Sequence, residues 1–341
     1  MDHDDALSYL TPSPLLVLSP QSVQAEEYTI VKCFLGSLIS GDVSRIVKSS
    51  EKLQGQITRL EAAAKVSRMS EPNSRRQLAL VTGATGGIGK ATALAFAKTG
   101  LYNLALHYCS ASTEARAQLL GEIKAVSPTD TSIETAFFQA DLSSFDEVRR
   151  LHAKVVEKSG EVDILFNNAG STVSHSGIKS LSDVPIDIFE QSWRINTGSG
   201  ILLTQLCLPY MERTGYGRVI FCSSVAGLTG GVVGPHYASS KSAVHGFVHW
   251  LAGNVAKKGI TVNAIAPALI EETAMLPAGS EELAASEFVE VEAVGVADWC
   301  VGVPVGRLGK PDEIADTVTW MVRNGYVTNK VIAVDGGMYP S

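Results

Sequence analysis

The sequence lacks the features that mark disulfide-bonded or metal-binding proteins. Its 341 residues include only five cysteines, which are widely scattered and form no Cys-x-x-Cys pair. We therefore expect reduced thiols that pack as small hydrophobic side chains rather than disulfides. The seven histidines form no His-Glu-x-x-His motif or other ligand spacing, so we expect no metal site.

Excess positive charge and long apolar segments are also missing. The formal net charge is −7 and the isoelectric point is about 5.6, which argues against nucleic acid or an anionic membrane as the main partner. No apolar segment approaches the ~20 residues that span a bilayer. The N-terminus, MDHDD, is acidic, unlike a secretory or mitochondrial leader. These absences predict a cytoplasmic protein with no membrane partner.

From Gln77 onward, short apolar segments alternate with helical patterns. Continuous Val/Ile/Leu segments are typical of parallel strands buried on both faces, so we predict an α/β fold. The architecture is a doubly wound, seven-stranded parallel (Rossmann) sheet with helices on both faces and ligands beyond the strands' carboxyl ends. The predicted strands are 78–82, 103–108, 133–139, 162–168, 217–224, 260–267 and 330–337. The main predicted helices are 90–100, 112–125, 186–211, 236–258 and 311–323.

The N-terminal part of the chain contains no such unit. Residues 42–66 have the apolar stripe of an amphipathic helix, and the polar segment 69–77 follows. We divide the chain into a helical or disordered N-terminal extension with its linker, 1–76, and a Rossmann domain, 77–341. One hypothesis is that translation starts at Met69, and the intact mass of the natural protein tests it.

A glycine-rich turn, TGATGGIG (82–89), joins the first strand to the first helix. Its spacing, Gly83-x-x-x-Gly87-x-Gly89, is neither Gly-x-Gly-x-x-Gly nor a P-loop. Glycines allow close backbone approach, and a helix N-terminus offers free N–H groups and a positive dipole end. The turn therefore indicates a binding site for phosphate. The alternative is a tight strand-to-helix turn that binds no ligand, which would have the same glycine pattern.

A second motif pairs a phenol with an ammonium group. Tyr237 and Lys241 are four residues apart, so both side chains would lie on one helix face. The same spelling, Tyr-x-x-x-Lys, occurs at Tyr28/Lys32 and at Tyr326/Lys330. A pair of this kind is usually a surface feature, and the spacing alone does not tell which copy has a chemical role.

Taken together, the motifs resemble those of the short-chain dehydrogenase/reductase family. The resemblance includes Thr-Gly-x-x-x-Gly-x-Gly, Asn-Asn-Ala-Gly at 167–170, and then Ser224, Tyr237 and Lys241, and it covers the chain from about Leu78 to Gly337. It implies an NAD(P)-dependent enzyme that interconverts a carbonyl and a secondary alcohol.

The resemblance also implies a set of cofactor-binding residues. The glycine turn would bind the pyrophosphate, Asp141 and Leu142 would contact adenine, and Asn168–Gly170 would lie near the adenine-side ribose. The backbone of Ile270 would meet the nicotinamide carboxamide. An alternative for Asp141 is a simple helix cap. The predicted cofactor residues are Gly83, Thr85, Gly87, Ile88, Gly89, Ser110, Asp141, Leu142, Asn168, Ala169, Gly170, Tyr237, Lys241 and Ile270.

Four residues match the family's catalytic set. Tyr237 would act as the general acid/base, and Lys241 together with the cofactor's positive ring would lower its pKa. Ser224, thirteen residues before Tyr237, would hydrogen-bond the substrate oxygen. Asn196 would hold a water that links the lysine to solvent. Alternatives are that Ser223 is the important hydroxyl and that Asn196 only satisfies the backbone.

Cofactor preference depends on the end of the second strand. An acidic residue there would bind ribose hydroxyls and repel a 2′-phosphate, whereas this chain has Tyr108 followed by neutral small residues. We predict NADP(H), with NAD(H) as the alternative. The arginine that some NADP-using relatives carry in the glycine turn is Gly86 here.

The closest subgroup by resemblance is the 3-oxoacyl-[acyl-carrier-protein] reductases. An acidic carrier protein would need basic docking residues on the enzyme. Lys258 matches one docking position of the subgroup. The other docking position is Gly215 in this chain, and Arg213 lies two residues before it. The substrate lid, 268–304, is longer than the family pattern. Polyols, quinones and secondary-metabolite ketones are alternative substrates, and a dinucleotide sensor or an extended epimerase are alternative functions.

The family resemblance implies a homodimer or homotetramer through the helices that carry Tyr237 and Asn196.

Overall fold

One parallel sheet organises the described part of the molecule. The computed structural model describes residues 75–129, 131–273, 275–276 and 303–339. All neighbouring strands are parallel, in the order β3-β2-β1-β4-β5-β6-β7, which confirms the predicted doubly wound fold. The strands are β1 Gln77–Val81, β2 Tyr102–Tyr108, β3 Thr135–Gln139, β4 Ile164–Asn167, β5 Gly217–Cys222, β6 Ile260–Pro267 and β7 Lys330–Val334.

Helices cover both faces of this sheet. One core lies between the sheet and α3, α5 and α7, and a second core lies between the sheet and α1, α2 and α8. Each helix contributes apolar residues at helical spacing, such as Val148, Leu151 and Val155 of α3. The α-helices are α1 Gly87–Thr99, α2 Thr113–Val126, α3 Phe145–Ser159, α4 Ile186–Trp193, α5 Ser199–Thr214, α6 Ala226–Thr229, α7 Pro235–Val255 and α8 Pro311–Arg323.

Four strands, β3, β4, β5 and β7, are shorter than predicted, by up to three residues. The larger differences from the predicted boundaries are at two helices. The predicted helix 186–211 is divided into α4 and α5 by a π-helical turn, Arg194–Gly198. The predicted helix 236–258 becomes α7 followed by a 3₁₀ turn, Ala256–Lys258, which ends at the left-handed Gly259. Apolar periodicity does not distinguish a π turn from an α turn, so the sequence did not reveal the break.

Several predictions concern residues outside the described ranges. These are the extension 1–76 apart from its last two residues, the amphipathic helix 42–66, the start at Met69 and much of the lid. Within the described ranges, no helix is long and apolar enough to cross a membrane. The same ranges contain no cluster of three or more His, Cys, Asp or Glu side chains arranged to hold a metal ion.

Candidate active site

The glycine turn brings β1 and α1 closer together than side chains would allow. Gly83 has φ +63°, the left-handed region that favours glycine. A Cβ atom at Gly89 would collide with the carbonyl oxygen of Gly83. Helix α1 begins after Gly86 with no side-chain cap and no acidic residue in its first turn. Its N–H groups are therefore left for an anion, and the turn fits the pyrophosphate of a dinucleotide.

The Asn-Asn-Ala-Gly segment fixes this turn from the neighbouring strand. The Thr82 hydroxyl accepts hydrogen bonds from the N–H groups of Asn168 at 2.8 Å and Ala169 at 3.0 Å. The Asn168 side chain donates to the carbonyl oxygens of Thr82 at 2.9 Å and Gly83 at 3.3 Å. The predicted cofactor residue Asn168 thus shapes the cradle itself. Thr82, for which the sequence analysis proposed no role, supports it.

His107 is a second support that the sequence analysis missed. Its Nδ1 accepts from the Gly83 N–H at 3.1 Å, and its Nε2 lies 3.1 Å from the carbonyl oxygen of Ala140. A carbonyl only accepts, so the ring is neutral with its proton on Nε2. Burial lowers the pKa of His107, while the hydrogen bond to Ala140 acts in the opposite direction. The only sequence signal was a polar residue inside an apolar strand.

The predicted adenine-side residues differ in which of their groups are exposed to a ligand. Asp141 is exposed, and its Oδ1 accepts from the Ser143 N–H at 2.9 Å. The cap of α3 is Ser144 rather than Asp141, so the helix-cap alternative does not hold for that helix. The Leu142 side chain is buried in the core, which leaves only its backbone for a ligand. Ser110 is exposed beyond the end of β2.

Helix α7 carries the phenol and the ammonium group on its buried face. Tyr237 is 5% exposed and Lys241 2% exposed. The Lys241 Nζ lies 5.7 Å from the centre of the Tyr237 ring and donates to the carbonyl oxygen of Cys222, at the end of β5, at 2.6 Å. A Cβ atom at Gly170 would lie 3.1 Å from the same Nζ. Gly170 therefore adjoins the lysine, at the catalytic end of the Asn-Asn-Ala-Gly segment.

Burial determines the protonation of this pair. It raises the pKa of Tyr237, with a further increase from the Cys222 thiol and an opposing decrease from the Ser224 hydrogen bond. Burial also lowers the pKa of Lys241 from its ordinary value. The phenol is therefore protonated near neutral pH and is available as a proton donor.

The two adjacent serines after β5 have different surroundings. Ser224 lies close enough to the Tyr237 phenol to lower the pKa of that phenol, and its Oγ accepts from the Ala226 N–H at 3.1 Å. The Ser223 hydroxyl donates to the carbonyl oxygen of Lys241 at 3.0 Å and lies 2.7 Å from the His245 Nε2. Ser223 thus joins β5 to the backbone of α7. The geometry favours Ser224 over Ser223 as the hydroxyl that meets a substrate.

Asn196 lies in the π-helical turn and is 6% exposed. Its Oδ1 accepts from the Ser171 N–H at 2.8 Å, and its Nδ2 donates to the Ser171 carbonyl at 3.0 Å and to the Ser240 Oγ at 2.9 Å. The side chain therefore links the segment after Asn-Asn-Ala-Gly to helix α7. These side-chain bonds reach the Ser171 backbone and the Ser240 hydroxyl. The water link from Asn196 to Lys241 stays a prediction.

The remaining predicted positions lie at the edge of the cleft. The carbonyl oxygen of Ile270 accepts from the Thr273 hydroxyl at 3.0 Å. A Cβ atom at Gly87 would collide with the carbonyl oxygen of Glu272, so the first turn of the lid lies against the glycine turn. Gly87 and Ile88 open helix α1, and Thr85 is half-buried within the turn.

The other Tyr-x-x-x-Lys copy within the described residues does not resemble this site. Tyr326 is 98% exposed, and Lys330 is the first residue of β7, so the two do not share a helix face. Tyr28 and Lys32 lie outside the described residues. Of the described copies, only Tyr237/Lys241 is buried beside a serine and near the glycine turn.

Residues 77–284 match the family model described as short chain dehydrogenase. The chain belongs to the short-chain dehydrogenase/reductase family. It is therefore an NAD(P)-dependent oxidoreductase acting on CH–OH or carbonyl groups, and its cofactor is a nicotinamide dinucleotide. The residues of the glycine turn fit that cofactor because they leave a backbone cradle at a helix N-terminus.

Several curated relatives cover most of the chain. A 3-oxoacyl-[acyl-carrier-protein] reductase of Synechocystis sp. is 34% identical over 265 residues, which is 77% of this chain and 96% of the relative. An acetoacetyl-CoA reductase of Allochromatium vinosum is 33% identical over 265 residues, covering 77% and 98%. An uncharacterized oxidoreductase of Bacillus subtilis, YmfI, is 33% identical over 263 residues, covering 76% and 98%.

Solved structures show the same fold. The NADH-dependent reductase A1-R′, responsible for alginate metabolism, has a TM-score of 0.64 at 25% identity, covering 78% of this chain and 98% of that one. A short-chain dehydrogenase/reductase from Burkholderia xenovorans has a TM-score of 0.64 at 26% identity, covering 77% and 98%.

Proposed function

We propose that the chain is an NADPH-dependent reductase of 3-oxoacyl thioesters. The observation that carries this proposal is the buried Tyr237–Lys241 pair beside Ser224, at the carboxyl end of β5. The segment Asn168–Gly170 connects this pair to the glycine turn, because Gly170 adjoins the Lys241 Nζ and Ala169 adjoins Gly83. The names of two relatives at 33–34% identity support the thioester class.

In the proposed mechanism the glycine turn would hold the dinucleotide, which would supply the hydride that the carbonyl carbon gains. Ser224 donates a hydrogen bond to the carbonyl oxygen and holds it next to the Tyr237 phenol. The phenol then gives its proton to that oxygen, so the carbonyl gains one hydride and one proton and becomes a secondary alcohol. Lys241 stabilises the phenolate that remains because its ammonium group lies on the same side of α7.

The preference for NADPH rests on the end of β2. Tyr108, whose side chain is buried, occupies the position where an acidic residue would bind the ribose hydroxyls. The next two residues, Cys109 and Ser110, are neutral and exposed. No carboxylate at these positions opposes a 2′-phosphate. NADH remains the alternative, since one structural neighbour is an NADH-dependent reductase.

The acyl carrier is a separate part of the proposal. Lys258, the basic residue that matches a carrier-docking position, pairs with Glu212 at 2.7 Å, and Arg213 pairs with Glu161 at 3.5 Å. Both cations therefore have carboxylate partners, and Gly215 adds no charge. We expect coenzyme A thioesters and acyl-carrier-protein thioesters to be reduced at comparable rates.

The proposed assembly is a homodimer or homotetramer. The exposed side of α7 carries small residues, including Gly246 and Gly253, which have open space above them, and Trp250 is 66% exposed. Small residues next to an exposed aromatic side chain suit close helix packing between copies. Light scattering on the full chain and on Trp250→Glu tests this, and an unchanged oligomer in the variant would contradict it.

The test of the function uses the full chain and acetoacetyl-CoA. NADPH binding is measured by fluorescence titration and turnover by NADPH oxidation. Tyr237→Phe should lose turnover at least ~10²-fold while binding NADPH as before, because only the proton donor is removed. Tyr326→Phe is the matched control and should keep full activity. Turnover of a quinone or a simple ketone but not of the thioester would overturn the substrate class, and full activity of Tyr237→Phe would overturn the mechanism.

A further inference from the structure

The two positions at which a cation would most simply meet a 2′-phosphate carry none. Gly86 in the glycine turn is exposed, and Cys109 directly follows Tyr108. Lys90, in the first turn of α1, is paired with Glu122 at 2.8 Å. If the chain prefers NADPH, the positive charge must come from another element.

Arg116 of helix α2 supplies a cation at the end of β2, beside Tyr108. Its guanidinium carbon lies 4.6 Å from the centre of the Tyr108 ring, a cation–π contact. Its Nε–H donates to the Ser112 carbonyl oxygen at 3.2 Å, and its Nη2 donates to the Thr113 hydroxyl at 2.9 Å. These contacts fold the side chain back from α2 over the end of β2.

The guanidinium retains donors for a ligand. An arginine has five N–H donors, and these two hydrogen bonds use two of them. Among the described residues, no ion pair within 4.0 Å involves Arg116. The pKa of Glu114 is lowered mainly by hydrogen bonds from its own backbone N–H and from Ser112, and the Arg116 charge makes only a smaller contribution. The Arg116 charge is therefore not neutralised by a direct partner.

We infer that Arg116, held on the ring of Tyr108, is the residue that binds the 2′-phosphate of NADP(H). The guanidinium lies over the aromatic ring, and its N–H groups that are not hydrogen-bonded to Ser112 and Thr113 would bind phosphate oxygens. Tyr108 then has two functions: it replaces the acidic residue, and it positions the cation. This inference rests on the proposed NADPH preference.

The test measures binding without turnover. Calorimetric titrations of the full chain use 2′,5′-ADP and 5′-AMP, which differ by the 2′-phosphate, and then NADPH and NADH. Arg116→Met should weaken 2′,5′-ADP and NADPH by roughly tenfold to a hundredfold, since a charged hydrogen-bond network is lost, and should leave 5′-AMP and NADH unchanged. Arg149→Met, which removes an exposed arginine of α3, is the matched control.

A rescue variant distinguishes a local effect from a folding defect. Gly86 is exposed with φ −86°, and a Cβ atom there would come no closer than 3.5 Å to atoms beyond its chain neighbours, so the backbone accepts an arginine side chain. Arg116→Met combined with Gly86→Arg should recover 2′,5′-ADP binding. Equal binding of NADPH and NADH by the unchanged protein would overturn the NADPH proposal. A clear NADPH preference that persists in Arg116→Met would overturn only the role of Arg116.

Discussion

The His107 Nδ1 atom accepts a hydrogen bond from the Gly83 N–H at 3.1 Å. The other side of the same ring meets Ala140, at the end of β3, at 3.1 Å. A single buried imidazole therefore spans the carboxyl ends of three neighbouring strands, because His107 itself belongs to β2. The left-handed conformation of Gly83 is supported by this contact as well as by Asn168.

Replacing His107 tests this support. His107→Phe removes both hydrogen bonds and leaves the Gly83 N–H without its acceptor. We expect the free energy of unfolding to fall by about 1–3 kcal/mol, the cost of an unsatisfied buried group. We also expect weaker dinucleotide binding with kcat unchanged at saturating cofactor, because the proposed catalytic side chains lie on other elements, after β5 and on α7.

His249→Phe is the control for that experiment. His249 is exposed and contacts Asn329, far from the glycine turn. Its replacement should change neither the denaturation midpoint nor the dissociation constant of NADPH by much. A His107→Phe protein with unaltered cofactor affinity would show that the glycine turn does not need the imidazole.

Stability should decrease on mild acidification. Burial lowers the pKa values of His107, His152 and His245, so the folded protein keeps these rings neutral. In the unfolded chain they bind protons near pH 6.5. The stabilisation is therefore complete above about pH 6.5 and is lost as the pH falls toward the lower pKa values of the folded state. Urea denaturation at pH 7.5 and 5.5 measures this, and His107→Phe should show a smaller difference. Equal midpoints at the two pH values would contradict the prediction.

Two glycine-to-alanine substitutions should differ in outcome: one should weaken NADPH binding, and the other should raise the free energy of unfolding. At Gly89 an added methyl group collides with the Gly83 carbonyl, so Gly89→Ala should distort the cradle and weaken NADPH binding at least ~10-fold. At Gly121, in the middle of α2, nothing lies within 4 Å of the added atom. Gly121→Ala should raise the free energy of unfolding by about 1 kcal/mol and leave binding unchanged. Tight NADPH binding by Gly89→Ala would contradict the cradle assignment.

The sequence predicted the sheet and the location of the cleft because both depend on local patterns. Short apolar segments with helices between them require a parallel sheet, and a glycine turn at the end of β1 marks its switch point. The ends of the elements were less predictable. The break at Arg194–Gly198 coincides with the side-chain hydrogen bonds of Asn196 and Thr197 to Ser171 and Ser240, and such partners, distant in sequence, leave no periodic signal.

The supporting residues of the site were missed for the same reason. Ala140, the partner of His107, is 33 residues away in the sequence. Asn168 and Ala169, which donate to the Thr82 hydroxyl, are separated from it by 86 and 87 positions. Arg116 is one of several arginines on helix surfaces, and only the fold places it over Tyr108. Motifs pointed to the proposed reacting groups, whereas the positioning of those groups depends on contacts between separate strands.

The adjacent serines after β5 allow the final prediction, because the two hydroxyls serve different partners. Ser224 faces the phenol of Tyr237, whereas Ser223 donates to the Lys241 carbonyl and contacts His245. A group that holds the substrate oxygen should affect turnover. A group that joins β5 to α7 should affect stability first.

Ser224→Ala should reduce kcat by about 10²–10³-fold, the usual cost of losing a donor to the reacting oxygen, with an unchanged denaturation midpoint. Ser223→Ala should lower the free energy of unfolding by about 1 kcal/mol, because the His245 imidazole loses its partner and the Lys241 carbonyl loses the second of its two donors. Its kcat should fall much less than that of Ser224→Ala. Steady-state kinetics and urea denaturation of both variants measure the two effects. If Ser223→Ala instead lost turnover at full stability while Ser224→Ala kept it, the substrate hydroxyl would be Ser223, and the orientation of the substrate in the cleft would have to be reversed.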